Sequence, residues 1–326
     1  MNDNPTVVEN IVGDPSIGRR AHSPAEMPRR GWWQIVKRVA RQFGDDNLPL
    51  ISAGVAFYAL LGLFPALAAL ISIYGLVADP HQVQAQFANL RGILPSDAYS
   101  LMSQQLTGLA GGSGGQLGTG LVVAILLAVW GATRGTRSLI AALNIVYGEE
   151  ETRGLVRQNL MAFAMTLFLI VVVVTAIIAV VGAPIVLGFF GPNALVATLI
   201  DWLRWPLLAF VAMLALAVLY RYGPARRKAQ WRWLPVGSVL ALGLWLIASS
   251  LFSLYVSRFG DYNATYGAIG GVIILLIWLY LSAMVILLGG EINAELEHQT
   301  AVDTTIGPDR PRGQRGAFVA DHLPDH

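Results

Sequence analysis

Charged residues of opposite sign stand at the ends of the long apolar stretches of this chain. Two aspartates precede the first stretch, two arginines follow the second, and a glutamate with a nearby asparagine follows the last. This candidate cluster comprises Asp45, Asp46, Arg134, Arg137, Glu291 and Asn293. Charges at membrane depth are costly and are usually paired or functional. We therefore predict that one of the two arginines pairs with Glu291 or Asp46. Such a pair would act either as a clamp on helix ends or as a gate or headgroup site.

A second set of candidate residues lies within or beside the apolar stretches, as cavity-lining side chains or a hinge. It comprises Tyr58, Pro65, Tyr262, Asn263, Tyr266 and Tyr280. Their hydroxyl and amide groups could bind a polar substrate, and Pro65 removes a backbone hydrogen bond and is expected to kink its helix. The alternative is that Tyr262 and Tyr266 form an interfacial aromatic belt, with Tyr58 and Tyr280 hydrogen-bonded in the core.

The composition excludes several other kinds of chemistry. The chain has no cysteine, so disulfides and thiolate catalysis are excluded. Its five histidines lie in tails or loops and its acidic residues are dispersed, so we expect no catalytic residue, no cofactor and no metal. Metal-dependent nuclease chemistry needs converging ligands, which this pattern does not predict. The glycine-rich stretch near residues 110–120 lacks the lysine of a phosphate-binding loop.

The elements that must hold these residues are membrane helices. Only 13% of the residues are charged, against about a quarter in soluble domains. Residues 262–290 alone form 29 consecutive uncharged positions, and a helix of that length exceeds the ~30 Å hydrocarbon core of a bilayer. We predict an all-α polytopic membrane protein with six spans. They lie at about 50–77, 118–138, 159–181, 203–221, 234–256 and 266–290.

The third predicted span ends in a region that is difficult to assign. Glycine and proline interrupt a charge-free run at 182–184 and again at 191–192. We interpret this as a helix that ends near Val181 and an apolar turn, although a re-entrant segment within 182–200 remains open.

The segments that flank the six-span domain at 48–298 differ in character. Residues 1–30 and 299–326 are polar and are predicted to be disordered cytoplasmic tails. Residues 31–44 carry apolar side chains at helical spacing beside Lys37, Arg38 and Arg41, typical of an interfacial amphipathic helix. The alternative for this helix is a solvated helix packed on the bundle. Residues 79–117 are predicted to be the long loop on the opposite, periplasmic side.

The distribution of basic residues predicts the orientation. With six spans, nineteen of the 22 lysines and arginines fall on the side that holds both termini. The positive-inside rule therefore places both termini in the cytoplasm. We expect this basic face to contact the anionic headgroups of the bilayer. The small net charge of +2 does not predict a nucleic-acid partner.

Three motifs resemble one protein family. They are F-Y-A-L-L-G-L-F-P at 57–65, W-G-A-T-R-G-T-R-S-L-I-A-A-L-N-I-V-Y at 130–147, and Y-G-A-I-G-G-V-I-I-L-L-I-W-L-Y at 266–280 followed by L-L-G-G-E-I-N-A-E. In this order they resemble the YihY/BrkB family, whose members were once mislabelled ribonuclease BN. The resemblance implies a six-helix protein of the bacterial inner membrane. It also implies a link in some members to virulence or serum resistance and a suspected role in transport. It supplies no catalytic residues.

Two functions fit these expectations. The first is a transporter or exporter of a lipid or small solute. The chain has no ATP-binding motif, so transport would use a gradient, a partner or passive movement. The alternative is an envelope-organising or scaffolding membrane protein without transport activity. The substrate, the energy coupling and the oligomeric state do not follow from the sequence.

Overall fold

The structure is a computed structural model that describes residues 14–77, 114–189, 194–258 and 268–324. The described residues are helical, apart from turns, three short 3-10 helices and one isolated antiparallel bridge between Ala229 and Thr305. In chain order the helices are α1 (Arg29–Asp45), α2 (Leu48–Val77), α3 (Gly114–Val146), α4 (Leu155–Phe189), α5 (Ala194–Tyr222), α6 (Pro235–Arg258), α7 (Ala268–Gln299) and α8 (Phe318–Asp321).

The chain forms two compact units. The first unit contains Met1–Ser52, Leu139–Ala248 and Ser282–His326. The second unit contains Ala53–Ser138 and Ser249–Leu281.

Five helical segments in the described part of the chain are long and apolar enough to cross a membrane. They are Leu48–Ala66, Leu155–Ala176, Trp202–Tyr222, Trp231–Ser257 and Gly270–Gln299. At most 28% of each apolar window is buried inside the protein. Such helices leave apolar side chains for lipid, while their backbone groups are satisfied within the helix. The predicted class of all-α membrane protein is therefore confirmed. The predicted second span lies within α3, which is not one of these five segments.

The structure corrects the prediction for the end of the third span. The α4 helix does not end near Val181 but continues through Pro184 to Phe189, and α5 begins at Ala194 and packs against α4. The glycine and proline at 182–184 do not stop the helix, because in an apolar environment an unwound backbone would lose hydrogen bonds that water cannot replace. Residues 182–200 therefore form the end of α4 and the start of α5, with 190–193 outside the described residues. The α2 helix likewise continues through Pro65.

The N-terminal segment differs from the predicted disordered tail. Residues 14–28 form turns and two 3-10 helices that pack on α1 and on the end of α7. Ala21 and Met27 join a buried cluster with Ile35, Trp233 and Leu296. A segment with few apolar residues can be ordered when a long-range cluster of this kind buries the few it has.

The C-terminal segment is also ordered from Thr300 to Pro324, again in contrast to the prediction. Arg315 organises it, since its guanidinium donates to the carbonyls of Val302 (3.2 Å), Ala320 (2.7 Å) and Ala301 (3.0 Å). The carboxylate of Asp321 accepts from the backbone of Gly313 and Arg315. In this segment, buried backbone groups are hydrogen-bonded by these side chains instead of by a helix or a sheet.

In the second unit, α2 and α3 meet through glycines. A Cβ atom on Gly131 would lie 2.6 Å from Gly62 Cα, and one on Gly62 would lie 2.8 Å from Ala132 N. Gly135 also faces α2, but less tightly, since a Cβ there would lie 3.4 Å from Ala59 N. The spacing of Gly131 and Gly135 in the sequence predicts this close helix approach. At Gly271, in contrast, a Cβ would meet no atom within 4 Å.

Candidate functional site

The three acidic residues and the asparagine of the predicted cluster lie in the first unit. Glu291 and Asn293 are buried on α7. Asn293 Oδ1 accepts from the backbone N–H of Gly237 (2.8 Å), and its Nδ2 donates to the carbonyl of Leu234 (3.2 Å). Asn293 thus supplies an acceptor to the N–H of Gly237, one of the groups that an isolated helix leaves without a partner at its start, and adds a donor to the Leu234 carbonyl, which also accepts from Ser238. Its role in the structure is to join two helices.

Arg38 of α1 contacts the same end of α7. Its guanidinium contacts the carboxylate of Glu295 and donates to Gln299 Oε1 at 2.7 Å. Burial, together with the carboxylates of Asp45 and Glu295, raises the pKa of the half-buried Asp46 to about 6. Arg38 is missing from the predicted cluster because its position on an amphipathic helix indicates a solvated or headgroup-facing side chain.

The basic members of the predicted cluster, Arg134 and Arg137, belong to the second unit. Arg134 is exposed, and its guanidinium lies 5.4 Å from the ring centre of Trp130. Their predicted pairing with Glu291 or Asp46 would join the two units and stays a prediction.

The second predicted set is only partly described. Tyr58 is exposed and contacts Phe57 edge-to-face, while Pro65 and Tyr280 are half-buried. Tyr262, Asn263 and Tyr266 lie outside the described residues.

A cavity of about 640 Å³ in the first unit was not anticipated from the sequence. It lies where the loop before α4, the end of α5 and the loop after α5 come together, with Gly316 of the C-terminal segment at its wall. Leu160, Met161 and Ala164 of α4 supply an apolar side. The remaining wall is strongly basic, and its cations are Arg153, Arg157, Arg221, Arg226, Arg227 and Lys228.

Three of the six cations are compensated by carboxylates. Arg153 makes two bonds of 2.7 Å to Glu151. Arg226 donates to both oxygens of Glu297, at 2.8 and 2.7 Å. Arg227 Nη1 lies 4.0 Å from Asp303 Oδ2.

The other three cations have no carboxylate within 4.0 Å among the described residues. They are Arg157, Arg221 and Lys228. The cavity therefore carries an excess of positive charge, which favours an anion.

Arg221 is the cation most closely held by the protein. Only 9% of the residue is exposed, and its guanidinium lies 4.4 Å from the ring centre of Trp231 and 5.5 Å from that of Tyr222. Its Nε and Nη1 atoms are buried and have no hydrogen-bond acceptor among the described residues. A buried donor without an acceptor is unfavourable, and a guanidinium offers a planar fork that suits oxyanions. The arrangement can bind an anion that supplies the missing acceptors.

No group of three or more histidine, aspartate or glutamate side chains in the described ranges is arranged to hold a metal ion.

Helices of membrane-spanning length, together with a basic, partly apolar cavity in the first unit, define a polytopic membrane protein. The family model described as virulence factor BrkB matches residues 39–314. The chain belongs to this family, which confirms the resemblance seen in its motifs.

Individual relatives support the same assignment. The chain is 34% identical over 251 residues to a putative ribonuclease-like protein, YfkH, of Bacillus subtilis, covering 75% of this chain and 88% of the relative. It is 25% identical over 280 residues to a UPF0761 membrane protein of Pseudoalteromonas translucida, covering 84% and 88%. A UPF0761 membrane protein of Rhodospirillum centenum is 26% identical over 283 residues, which span 84% of this chain but only 60% of that relative. No solved structure matches the chain.

Proposed function

We propose that the chain crosses the bacterial inner membrane six times, with both termini in the cytoplasm. Contacts between the two ends of the chain support an even number of crossings. The backbone N–H of Ala301 donates to the carbonyl of Arg19 (2.8 Å), and Thr300 Oγ1 donates to the carbonyl of Ala21 (2.7 Å). Segments that share such bonds lie on the same side of a membrane. Adding α3 to the five membrane-length segments gives the even number.

Contacts among the basic segments support the same topology. The backbone N–H of Phe318 donates to Glu149, before α4, and that of Ala225, after α5, donates to Asn144. Arg227 N donates to the carbonyl of Gly316. The segments joined in this way are among those that the positive-inside rule assigns to the cytoplasm.

The absence of cysteine makes this topology simple to test. Thr152→Cys introduces a single thiol before α4, and Ser100→Cys introduces one in the predicted periplasmic loop. In intact cells, a membrane-impermeant maleimide should label only the second variant, and both should react after the membrane is opened. Labelling of Thr152→Cys in intact cells would contradict the proposed orientation.

Within this topology we propose that the protein transports or exports an anionic lipid or small anionic solute without an ATPase of its own. The observation that carries the proposal is the basic cavity. Its volume of about 640 Å³ lies within the ~300–1,000 Å³ of typical ligand sites. Its apolar α4 wall beside six cations suits an amphiphile with a negatively charged headgroup. A purely structural bundle has no need for an uncompensated buried arginine at this position.

Flux in reconstituted vesicles tests the proposal. Purified protein in phosphatidylcholine vesicles should accelerate the transbilayer movement of a fluorescent anionic phospholipid or the release of an entrapped organic anion, relative to protein-free vesicles. Arg221→Gln should lower the rate, while Arg232→Gln, an exposed substitution outside the cavity, should leave it unchanged. Rates equal to those of empty vesicles for both probes would refute transport, and copurification of a stable partner protein would then favour the scaffolding alternative.

A further inference from the structure

Three cations of the basic cavity, Arg157, Arg221 and Lys228, have no carboxylate partner among the described residues. Their number and placement indicate which class of anion would fit the cavity. Arg157 comes from the first turns of α4, Arg221 from the last turn of α5, and Lys228 from the loop that follows. They share one cavity, although Arg157 is distant in sequence from the other two. Lys228 Nζ lies 4.6 Å from the ring centre of Tyr222, the same ring that Arg221 approaches. Aromatic contacts restrain both cations without neutralising them.

Arg153, one of the compensated cations, connects two of the segments that line this site. The Arg153 guanidinium also donates to the carbonyl of Gly223 (3.1 Å), so it connects the loop before α4 to the end of α5. Hydrogen bonds from Arg153 lower the pKa of Glu151 to about 2, which keeps this carboxylate ionised and bound to Arg153 at any physiological pH. The Glu151 carboxylate is therefore not free to neutralise Arg157 or Arg221.

The amount of uncompensated charge distinguishes between anions. A carboxylate or a phosphodiester carries one negative charge and would compensate one of the three cations, which leaves the charge of the exposed Arg157 and Lys228 to be balanced by water and salt. A phosphate monoester carries about −1.5 to −2 charges at pH 7 and three acceptor oxygens. Two guanidinium forks and an ammonium group can donate to all three oxygens. The phosphate would thereby supply acceptors to the Nε and Nη1 atoms of Arg221, which have none among the described residues.

We propose that this cavity is a binding site for a phosphate monoester group, held by Arg157, Arg221 and Lys228. This inference rests on the proposed anionic substrate and narrows its chemical class. The group can belong to a lipid with a terminal phosphate, whose acyl chains would lie along Leu160, Met161 and Ala164, or to a soluble phosphate compound. Both sources share the same recognition by the three cations.

Binding to the purified full-length protein tests the proposal. In nanodiscs of phosphatidylcholine, added phosphatidic acid should raise the unfolding temperature more than the same amount of phosphatidylglycerol, because only the former has a monoester phosphate. In detergent, inorganic phosphate and glycerol 3-phosphate provide the soluble arm. Stabilisation by phosphatidic acid alone assigns the site to a lipid, and stabilisation by the soluble compounds alone assigns it to a solute. Both outcomes support the phosphate site.

Variants establish the location of the site. Arg221→Gln and Arg157→Gln should each weaken the effective probe about 10- to 100-fold, the range for a lost hydrogen-bonded charge. Lys228 is exposed, so Lys228→Gln should not disturb folding and should also weaken binding of the probe. The location of the site can therefore be tested even if the buried Arg221→Gln variant fails to fold. Arg232→Gln is the matched control on the same loop and should bind normally.

Equal stabilisation by phosphatidic acid and phosphatidylglycerol, with no response to the soluble phosphates, would overturn the proposal. An equal loss in Arg232→Gln and the cavity variants would do the same. Flux measurements distinguish a failure of the phosphate-site proposal from a failure of the transport proposal. Normal binding without flux refutes transport alone, whereas flux without monoester preference refutes the phosphate site alone.

Discussion

Replacing either member of the buried pair Arg226 and Glu297 should destabilise the first unit far more than the size of the change suggests. Only 1% of the Arg226 side chain and 0% of the Glu297 side chain are exposed. Besides its two bonds to Arg226, the Glu297 carboxylate accepts from Thr304 Oγ1 at 2.7 Å. The guanidinium lies 4.7 Å from the ring centre of Tyr147, which is itself buried.

The expected magnitudes follow from this burial. Glu297→Gln leaves a guanidinium in the protein interior without a counterion, and Arg226→Gln leaves a carboxylate there. Breaking a buried pair from one side costs about 3–5 kcal/mol, because the remaining charge is no longer compensated. The double variant removes both charges, so its cost should be well below the sum of the two single costs. The difference is the coupling energy of the pair.

Unfolding of the detergent-solubilised protein by increasing SDS, followed by tryptophan fluorescence, measures all three costs. The exposed Arg232→Gln serves as the control and should change the free energy of unfolding by no more than about 0.5 kcal/mol. Single costs within that same range, or a double variant whose cost equals the sum of the singles, would refute the view that Arg226 and Glu297 act as one buried unit.

Three further predictions concern other parts of the chain. Because the pKa of Asp46 is about 6, above its ordinary 3.8, the folded state binds more protons than the unfolded state between these values. Stability should thus fall as pH rises from about 4 to about 6. Asp46→Asn should reduce that slope in melting curves and raise the unfolding temperature at neutral pH, and an unchanged slope would count against the assignment. Gly62→Ala should lower the free energy of unfolding by about 1–3 kcal/mol, because the added Cβ would press against the backbone of α3. Gly54→Ala is the control and should be neutral, since its Cβ would meet no atom within 4 Å. Equal effects of the two substitutions would contradict the close approach of α2 and α3. Arg315→Ala should abolish hydrogen-exchange protection around residues 300–320, measured by mass spectrometry, and retained protection would show that other contacts suffice.

Most of the membrane architecture could be predicted from local sequence. A run such as 262–290 is long enough to span a bilayer whatever its surroundings, and the spacing of Gly131 and Gly135 indicates a helix contact without identifying its partner. The end of α4 was misplaced because the tendency of glycine and proline to break a helix in water is overridden in an apolar environment.

The order of the terminal segments could not be predicted, because it depends on partners far away in the sequence. Arg19 Nη1 donates to the carbonyl of Gln299, 280 residues further on. Composition describes how a segment behaves alone, and both segments are too polar to fold alone.

The basic cavity could have been anticipated only in part. Two helices that form a hairpin bring the start of the first close to the end of the second. Arg157 at the start of α4 and Arg221 at the end of α5 fit that geometry, so their proximity was a signal present in the sequence. The sequence carries no such signal for the contact between Arg221 and the ring of Trp231, because this contact depends on the conformation of an irregular loop.

The ordered C-terminal segment has a consequence for biosynthesis. A ribosome makes the loops around α4 and α5 long before it makes Asp303 and Gly316, yet both of these late residues contact Arg227 of the loop after α5. Until Asp303 and Gly316 have been made, Arg227 lacks its final partners, even if α1 to α7 are already in place. The basic cavity is therefore completed only after its C-terminal wall has been made, and a nascent protein stalled before residue 300 would carry an open cavity in which Arg227 has no contact with Asp303.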